Sequence, residues 1–407
     1  MRAEGPAGRR ARIVSIVGTR PEAIKMAPVV RALAARPGFE QRVVLTGQHS
    51  GLAGFFDLAP DSIRQLAYDP RGRTAPRLRE SLHAALCGHL RREPADLVLV
   101  HGDTASAMAG ALAAHDRGLD IGHVEAGLRS FDLHRPWPEE GNRMVVDVLA
   151  SLLFAPTEAA ARNLRSDWRV RGTIHVTGNT GIDQLFHARG AGPPAGESQG
   201  RSDRRLVVAT CHRKENQGAP MRDVCAALGR LTETLPLEVV LPLHPNPHVR
   251  GAMIDLLADR PHIQLVEPLD HGSMVRLMDR SWLILTDSGG LQEEGAALGK
   301  PVLVLRDVTE RPEGLETANL MLVGTEEARI AAAVAMLLRE PGLYARMSRP
   351  SLAFGDGKAA PRIVAAIQAW LREPSRSRAS AGRAAAPARE ARPPGARSEH
   401  RGPGSAP

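Results

Sequence analysis

Apolar residues along this chain fall in short runs separated by helix-length intervals. In the first half the runs are Ile13–Val17, Val43–Thr46, Leu97–Val100, Ile121–Val124, Leu152–Ala155 and Ile174–Val176. In the second half they are Leu206–Ala209, Val239–Leu243, Ile263–Val266, Leu283–Leu285, Val302–Leu305 and Leu320–Val323. Continuous rather than alternating apolar strands belong to parallel sheets covered on both faces by crossover helices. Two sets of six predict an α/β protein of two doubly wound, Rossmann-like domains, since a single barrel needs only eight strands. The Gly-, Pro- and Ala-rich stretch Arg189–Arg201 reads as the linker or a loop just beyond it. The expected division is 12–185, 202–358 and a helix over 359–373 that packs back on the first domain. Ligands of such sheets bind beyond the carboxyl ends of the strands, so two facing domains share one cleft.

Composition changes this picture mainly at the ends. The chain has 407 residues and a formal net charge of +8, with an isoelectric point near 10.2. Residues 374–407 hold seven Arg and two Glu, and the first twelve hold four Arg and one Glu. These segments account for the whole net charge, so residues 13–373 are close to neutral. A nearly neutral core argues against a nucleic-acid groove, and no specific nucleic-acid partner is expected. The 374–407 tail lacks large apolar residues and is expected to be disordered. Cys87, Cys211 and Cys225 are too few for a disulfide framework and match no zinc spacing. No apolar run reaches membrane-spanning length, so the expectation is a cytoplasmic protein without membrane insertion.

The chemistry-bearing residues follow the runs. Asp287-Ser288-Gly289-Gly290 leads from an apolar run into a helix start that carries Glu293 and Glu294. Such a glycine turn lets backbone N–H groups approach a phosphate, and a carboxylate one turn on suits a ribose. Gly18-Thr19-Arg20-Pro21-Glu22 with Lys25 puts two cations near a helix start, which a bound anion would justify. His101-Gly102-Asp103-Thr104 and His123-Val124-Glu125 deliver carboxylates from two strand ends, and Pro136-Trp137-Pro138-Glu139-Glu140 supplies more before Asn142-Arg143. Crowded carboxylates push one another's pKa values apart, which is the equipment for proton transfer. His212-Arg213-Lys214 and His244 follow strands of the second half, and Arg311 follows another. No His/Asp/Glu trio has compact ligand spacing, so no metal site is expected.

GTRPEAIKMAP, HGDT, GHVEAGLRS, PWPEE with NR, CHRKEN, HPNP, TDSGGLQEE and ERPEG occur in this order over roughly residues 12–370. With them the chain resembles the non-hydrolysing UDP-N-acetylglucosamine 2-epimerases. The resemblance implies a GT-B fold, reversible conversion of UDP-GlcNAc to UDP-ManNAc, no metal, no NAD or other cofactor, and a homodimer. It marks Asp103, Glu125, Glu139 and His212 as the catalytic set. It marks Arg20, Lys25, Arg213, His244, Ser288, Gly289, Gly290, Glu294 and Arg311 as UDP-sugar contacts. It also implies that Gln48 and His49 belong to a second, regulatory UDP-GlcNAc site. The chain departs from the family at two points. Gly51 stands where many relatives have a Gln of that second site, and Glu316-Thr317-Ala318-Asn319 replaces the usual EAGT.

The chemistry implied is elimination of UDP to a 2-acetamidoglucal followed by re-addition from the other face. Cations stabilise the departing diphosphate, and two acid/base groups serve opposite faces. Asp103 and Glu139 are the expected proton carriers, with Glu125 in support. Two alternatives share the nucleotide end: an epimerase of a related UDP-diacetamido-uronic acid, and a GT-B glycosyltransferase. The second has no use for Asp103, Glu125 and Glu139 together.

Overall fold

The computed structural model describes residues 9–66, 75–134, 136–191, 203–244, 247–309 and 311–373. The basic tail, most of the proposed linker, Arg71, Arg73, Asn246 and Glu310 lie outside them. The strands are β1 (Ala11–Val17), β2 (Phe39–Leu45), β3 (Ile63–Gln65), β4 (Leu97–His101), β5 (Ile121–Val124), β6 (Leu152–Ala155), β7 (Thr173–Val176), β8 (Arg205–Thr210), β9 (Leu237–Pro242), β10 (Ile263–Val266), β11 (Leu283–Thr286), β12 (Val302–Val304) and β13 (Leu320–Leu322). The helices are α1 (Arg20–Ala34), α2 (Ala75–Arg92), α3 (Ala105–Asp116), α4 (Glu139–Leu149), α5 (Glu158–Ser166), α6 (Thr180–Ala191), α7 (Ala219–Thr234), α8 (Pro247–Leu257), α9 (His271–Arg280), α10 (Gly289–Ala297), α11 (Pro312–Glu316), α12 (Glu327–Arg339), α13 (Pro341–Met347) and α14 (Ala359–Arg372).

All pairings are parallel. One sheet runs β3-β2-β1-β4-β5-β6-β7 and the other β10-β9-β8-β11-β12-β13. The first sheet therefore has seven strands where the apolar runs predict six. The extra strand, β3, is a three-residue edge with one apolar residue, Ile63, and its Arg64 and Gln65 are exposed. An edge strand buries too little to leave an apolar run.

Both sheets reverse their order beside the first strand of their own domain, between β1 and β4 and between β8 and β11. At a reversal the flanking loops diverge, and this opens the crevice in which doubly wound sheets hold ligands. Gly18 lies at the first reversal. A Cβ there would sit 1.9 Å from Ser106 Oγ and 2.6 Å from Thr46 Oγ1, so only glycine lets β1 end against the start of α3.

The chain crosses between the two sheets twice. Ile182 and Leu185 of α6 lie in the core of the second sheet beside Val275 and Ile284. Ile363, Val364 and Ile367 of α14 return to the core of the first sheet beside Met26 and Leu33. The two crossings are tied together: Asn179 N donates to Phe354 O at 2.7 Å. Asp183 caps α14 by accepting from Ala359 N and Ala360 N at 3.1 and 2.8 Å. Among the described residues, no helix is long and apolar enough to cross a membrane.

The ETAN departure has a structural cost. Ala318 follows the C-cap of α11 with φ of 62°, the left-handed position at which a glycine is favoured. An alanine there costs about 1–2 kcal/mol, partly offset by the greater chain entropy of unfolded glycine. Ala318→Gly is expected to stabilise the protein by about 0.5–1 kcal/mol, read as a higher denaturation midpoint. An unchanged or lower midpoint would exclude strain at this position. Asn319, the next substitution, is buried and donates to Met347 O and Arg349 O at 3.0 and 2.7 Å.

Candidate active site

Four loops meet where the two reversals face each other, and each carries one of the sequence motifs. From the first sheet come residues 18–25 after β1 and 102–104 after β4. From the second come residues 211–216 after β8 and 287–290 after β11. Direct contacts join the halves. Arg20 Nη2 donates to Leu269 O at 2.7 Å, and Asn179 Nδ2 donates to Glu293 Oε2 at 2.7 Å.

Lys25 is at the centre. It forms an ion pair with Glu125 and lies 4.0 Å from Glu293 of the second sheet's α10. Glu293 Oε1 accepts from Arg311 Nε at 2.9 Å, and His101 Nε2 lies 3.5 Å from Glu125. This places two cations and two carboxylates alternately across the interdomain seam. Burial raises the pKa of Glu125, but Lys25 and then His101 overcome it and hold the carboxyl well below the ordinary range. For Glu293 burial prevails over Arg311 and Lys25, and its pKa is raised. Two neighbouring carboxylates thus have their proton affinities driven apart, by Lys25 and His101 on one and by burial on the other. Burial lowers the pKa of Lys25, but Glu125 more than reverses this, so the ammonium stays charged. The two cations that sequence assigns to an anion therefore have protein partners: Arg20 a carbonyl, and Lys25 a pair of carboxylates.

Asp103 is held differently. Its carboxylate pairs with Arg143, and its carbonyl accepts from Asn142 Nδ2 at 2.8 Å. His123 braces the same turn, with Nε2 2.9 Å from Gly102 O and Nδ1 2.7 Å from buried Asp147. Helix α4 thus clamps the Asp103 turn through three side chains. Glu140 is buried and serves the loop before it, accepting from Arg129 Nε at 2.6 Å and Ser130 N at 3.0 Å. Glu139, one residue earlier at the helix start, is half-buried. Its side chain makes no hydrogen bond or ion pair among the described residues. Glu139 and Arg143 both lie in the first turns of α4, so the helix that clamps Asp103 also carries Glu139.

On the second sheet, Asp287 organises the histidine loop. Its buried Oδ2 accepts from His212 N and Arg213 N at 2.8 Å each and from Asn216 Nδ2 at 3.0 Å. The His212 ring lies parallel to that of His244, 5.7 Å away. A cavity of about 200 Å³ opens beside them, walled by Cys211, His212, Pro242, Leu269 and Leu291. Burial, then His212, lowers the pKa of His244. At α10 a Cβ on Gly289 would lie 2.7 Å from Arg311 Cζ. The glycine therefore lets a guanidinium lie against the N-terminus of a helix, where backbone N–H groups and a fixed cation together suit a phosphate. Glu294 faces the other way and pairs with His271 Nε2 at 3.0 Å. Gln48 Oε1 accepts from Ser106 Oγ at 2.8 Å, and His49 Nδ1 accepts from Arg20 N at 3.2 Å. Gly51 stands nearby with φ of 73°, a conformation that a glutamine would adopt only at a cost.

A family model described as UDP-N-acetylglucosamine 2-epimerase matches residues 31–368. The chain belongs to the UDP-N-acetylglucosamine 2-epimerase family. It is 39% identical over 373 residues to the UDP-N-acetylglucosamine 2-epimerase of Escherichia coli, covering 88% of this chain and 98% of that one. Among solved structures, a complex of S. aureus MnaA with UDP is 40% identical, with a TM-score of 0.81 and coverage of 90% and 98%. The Neisseria meningitidis UDP-GlcNAc 2-epimerase bound to UDP-GlcNAc is 35% identical, with a TM-score of 0.81 and coverage of 88% and 99%. The paired parallel sheets are the GT-B arrangement of this family.

Asp287, Glu293, His101 and Arg143 were not singled out from sequence, although each lies inside a quoted motif. Asp287 and Glu293 flank the Ser-Gly-Gly turn, and only the fold shows that one reaches β8's loop and the other the opposite domain. Asp287→Ala is expected to leave three donors of the His212 loop without their acceptor. The expected cost is about 2–4 kcal/mol of stability, and UDP affinity should fall at least tenfold by calorimetry. Unchanged UDP affinity would make the loop irrelevant to the nucleotide.

Proposed function

We propose that this protein interconverts UDP-GlcNAc and UDP-ManNAc by inverting C2 of the sugar, using the cleft between the two sheets. The observation that carries the reading is geometric: Glu125, bridged by Lys25 towards Glu293 of the second sheet, lies beside the Asp103 turn, where a Cβ on Gly102 would be 3.9 Å from Glu125 Oε1. The proton at C2 is not acidic in the intact sugar. If the C1–O bond breaks first, UDP leaves with the electron pair and C1 becomes oxocarbenium-like. A carboxylate then takes the C2 proton, and the electrons of that C–H bond close a C1=C2 double bond. Return of a proton to the opposite face of C2 and of UDP to C1 completes the inversion.

In this proposal the diphosphate lies at Ser288, Gly289 and Gly290 with Arg311, Arg213 and Arg20, and His244 lines the same pocket as His212, with the two rings parallel. A well-placed donor to such a leaving group contributes on the order of 3 kcal/mol. Glu294, with His271, faces the ribose. Asp103 and Glu139 carry the protons: the first is held in place by Arg143, and the side chain of the second has no partner to displace among the described residues. Ionised Glu125 stabilises the developing positive charge, and His212 protonates or steadies the departing phosphate. Gln48 and His49 border a second UDP-sugar site that lacks the contact a Gln in place of Gly51 would have supplied. The proposed domains are 12–185 and 202–358, with the 359–373 helix on the first. Closure about the paired crossings at Gly178 and Gly355 would exclude water. A cytoplasmic homodimer that works without NAD or metal at this site belongs to the same reading.

Incubation with UDP-GlcNAc in D₂O tests it. Deuterium at C2 together with UDP-ManNAc is the expected result. Protium retained at C2, or free ManNAc accumulating, would sink the proposal. Light scattering reads the oligomeric state.

A further inference from the structure

On the far side of the first sheet three metal-binding side chains converge. His83 and Cys87 are four residues apart on α2, hence on one face of it. Asp116 is the last residue of α3, which packs alongside. His83 Nε2 lies 2.9 Å from Asp116 Oδ2, and Cys87 Sγ lies 3.4 Å from the same nitrogen. One donor atom from each residue falls within 4.8 Å of the other two.

The two contacts share one ring nitrogen, and this decides between the chemistries open to the trio. A Cys–His–Asp proton relay needs the thiol on one imidazole nitrogen and the carboxylate on the other. Here both face Nε2, so no relay connects them. Three donors facing a common point is instead what a metal ion requires. Tetrahedral zinc with bonds of roughly 2.0–2.3 Å has ligand–ligand edges of about 3.3–3.7 Å, so the 3.4 Å contact already fits and the 2.9 Å contact has to open by about 0.4 Å. Imidazole, thiolate and carboxylate suit Zn²⁺ among divalent ions.

We propose that His83, Cys87 and Asp116 form a binding site for Zn²⁺ or a similar divalent transition metal, with solvent as fourth ligand. On binding, the Cys87 thiol gives its proton to solvent and its sulfur lone pair to the metal. The thiolate and Asp116 then neutralise the ion beside Arg91 and Arg117. The part-exposed His83 and Asp116 give solvent access, with side-chain exposures of 33% and 51%. The site lies at the opposite end of α3 from Asp103, roughly 17 Å along a 12-residue helix. Its role is therefore to clamp α2 to α3 rather than to take part in the reaction. Among the described residues the clamp reaches the cleft through α2's Arg79, whose Nη1 donates to Asn142 Oδ1 at 3.3 Å. Spacing in sequence excluded such a site because Asp116 comes from another helix.

Titration of the metal-stripped full chain with Co²⁺ tests the assignment without reference to activity. The expected result is a one-to-one complex with a thiolate-to-cobalt charge-transfer band, reversed by Zn²⁺. Cys87→Ser should abolish the band, and His83→Ala and Asp116→Ala should each weaken binding at least tenfold. Zn²⁺ should raise the melting temperature of the wild type but not of Cys87→Ser. Absence of the band at stoichiometric Co²⁺ would overturn the site. So would a band that survives Cys87→Ser, since it would then arise from Cys211 or Cys225. Binding that is unchanged in Asp116→Ala, a variant at an exposed position, would mark an adventitious ion only and overturn it equally.

Discussion

Replacing Asp103 by Asn is expected to slow deuterium exchange at C2 by about 10²–10⁴, the contribution of one positioned acid/base group. UDP affinity should stay within about threefold. The reason lies in how the turn is built. Arg143, Asn142 and His123 hold residues 102–103 from three directions, and an asparagine oxygen can still accept from Arg143. The substitution therefore removes a titrating group while leaving the turn's scaffold in place. Exchange and UDP binding lost together would make Asp103 a structural residue and return the proton-transfer role to Glu139 and Glu125.

The second large effect concerns Lys25. Lys25→Ala removes the cation shared by two buried carboxylates, and breaking such a buried pair costs about 3–5 kcal/mol. It should also change the pH dependence in a defined direction. Glu125 has a depressed folded-state pKa, so its contribution to stability is present above the ordinary carboxylate pKa of about 4.3. That contribution is lost as pH falls through the depressed value. Without Lys25, the burial that opposes ionisation is left with only His101 and Arg311 against it. The carboxyl then titrates at higher pH. If ionised Glu125 serves catalysis, the acid limb of the kcat profile moves upward in Lys25→Ala, and residual activity recovers towards alkaline pH. A uniformly reduced profile with an unmoved acid limb would show that Glu125 plays no part as an anion. Retained stability would show that the pair contributes nothing across the seam.

Much of this site is legible in the primary structure because its residues follow strand ends. Uninterrupted runs such as Leu97–Val100 and Leu283–Leu285, recurring at helix-length intervals, read as strands covered on both faces. The polar residues after them must then gather at one edge. Asp103, Glu125, His212 and the Ser288-Gly289-Gly290 turn are found that way. Asp287 and Glu293 escape the same logic, because a carboxylate at a helix start is ambiguous until its partners are known. The partners of Asp287 lie more than 70 residues away in the chain, and of those of Glu293 among the described residues only Arg311 is in its own half, Asn179 and Lys25 coming from before the second sheet begins. The edge strand β3 escapes for another reason: half-exposed strands carry no continuous apolar signal.

What the sequence determined by itself is the local chemistry of each element and the class of fold. Apolar periodicity specifies parallel strands, and glycine, proline and polar residues specify where each one stops. What only the tertiary structure decided is which charges neutralise one another. Lys25 looks in sequence like a free cation awaiting phosphate, yet the fold sets it between Glu125 and Glu293. His83, Cys87 and Asp116 look unrelated until α2 is laid against α3. The physical reason is the same in both cases. Strand and helix formation depend on neighbours a few residues apart, whereas Coulombic pairing, desolvation and metal geometry depend on distances in space that are set when the sheets and helices pack.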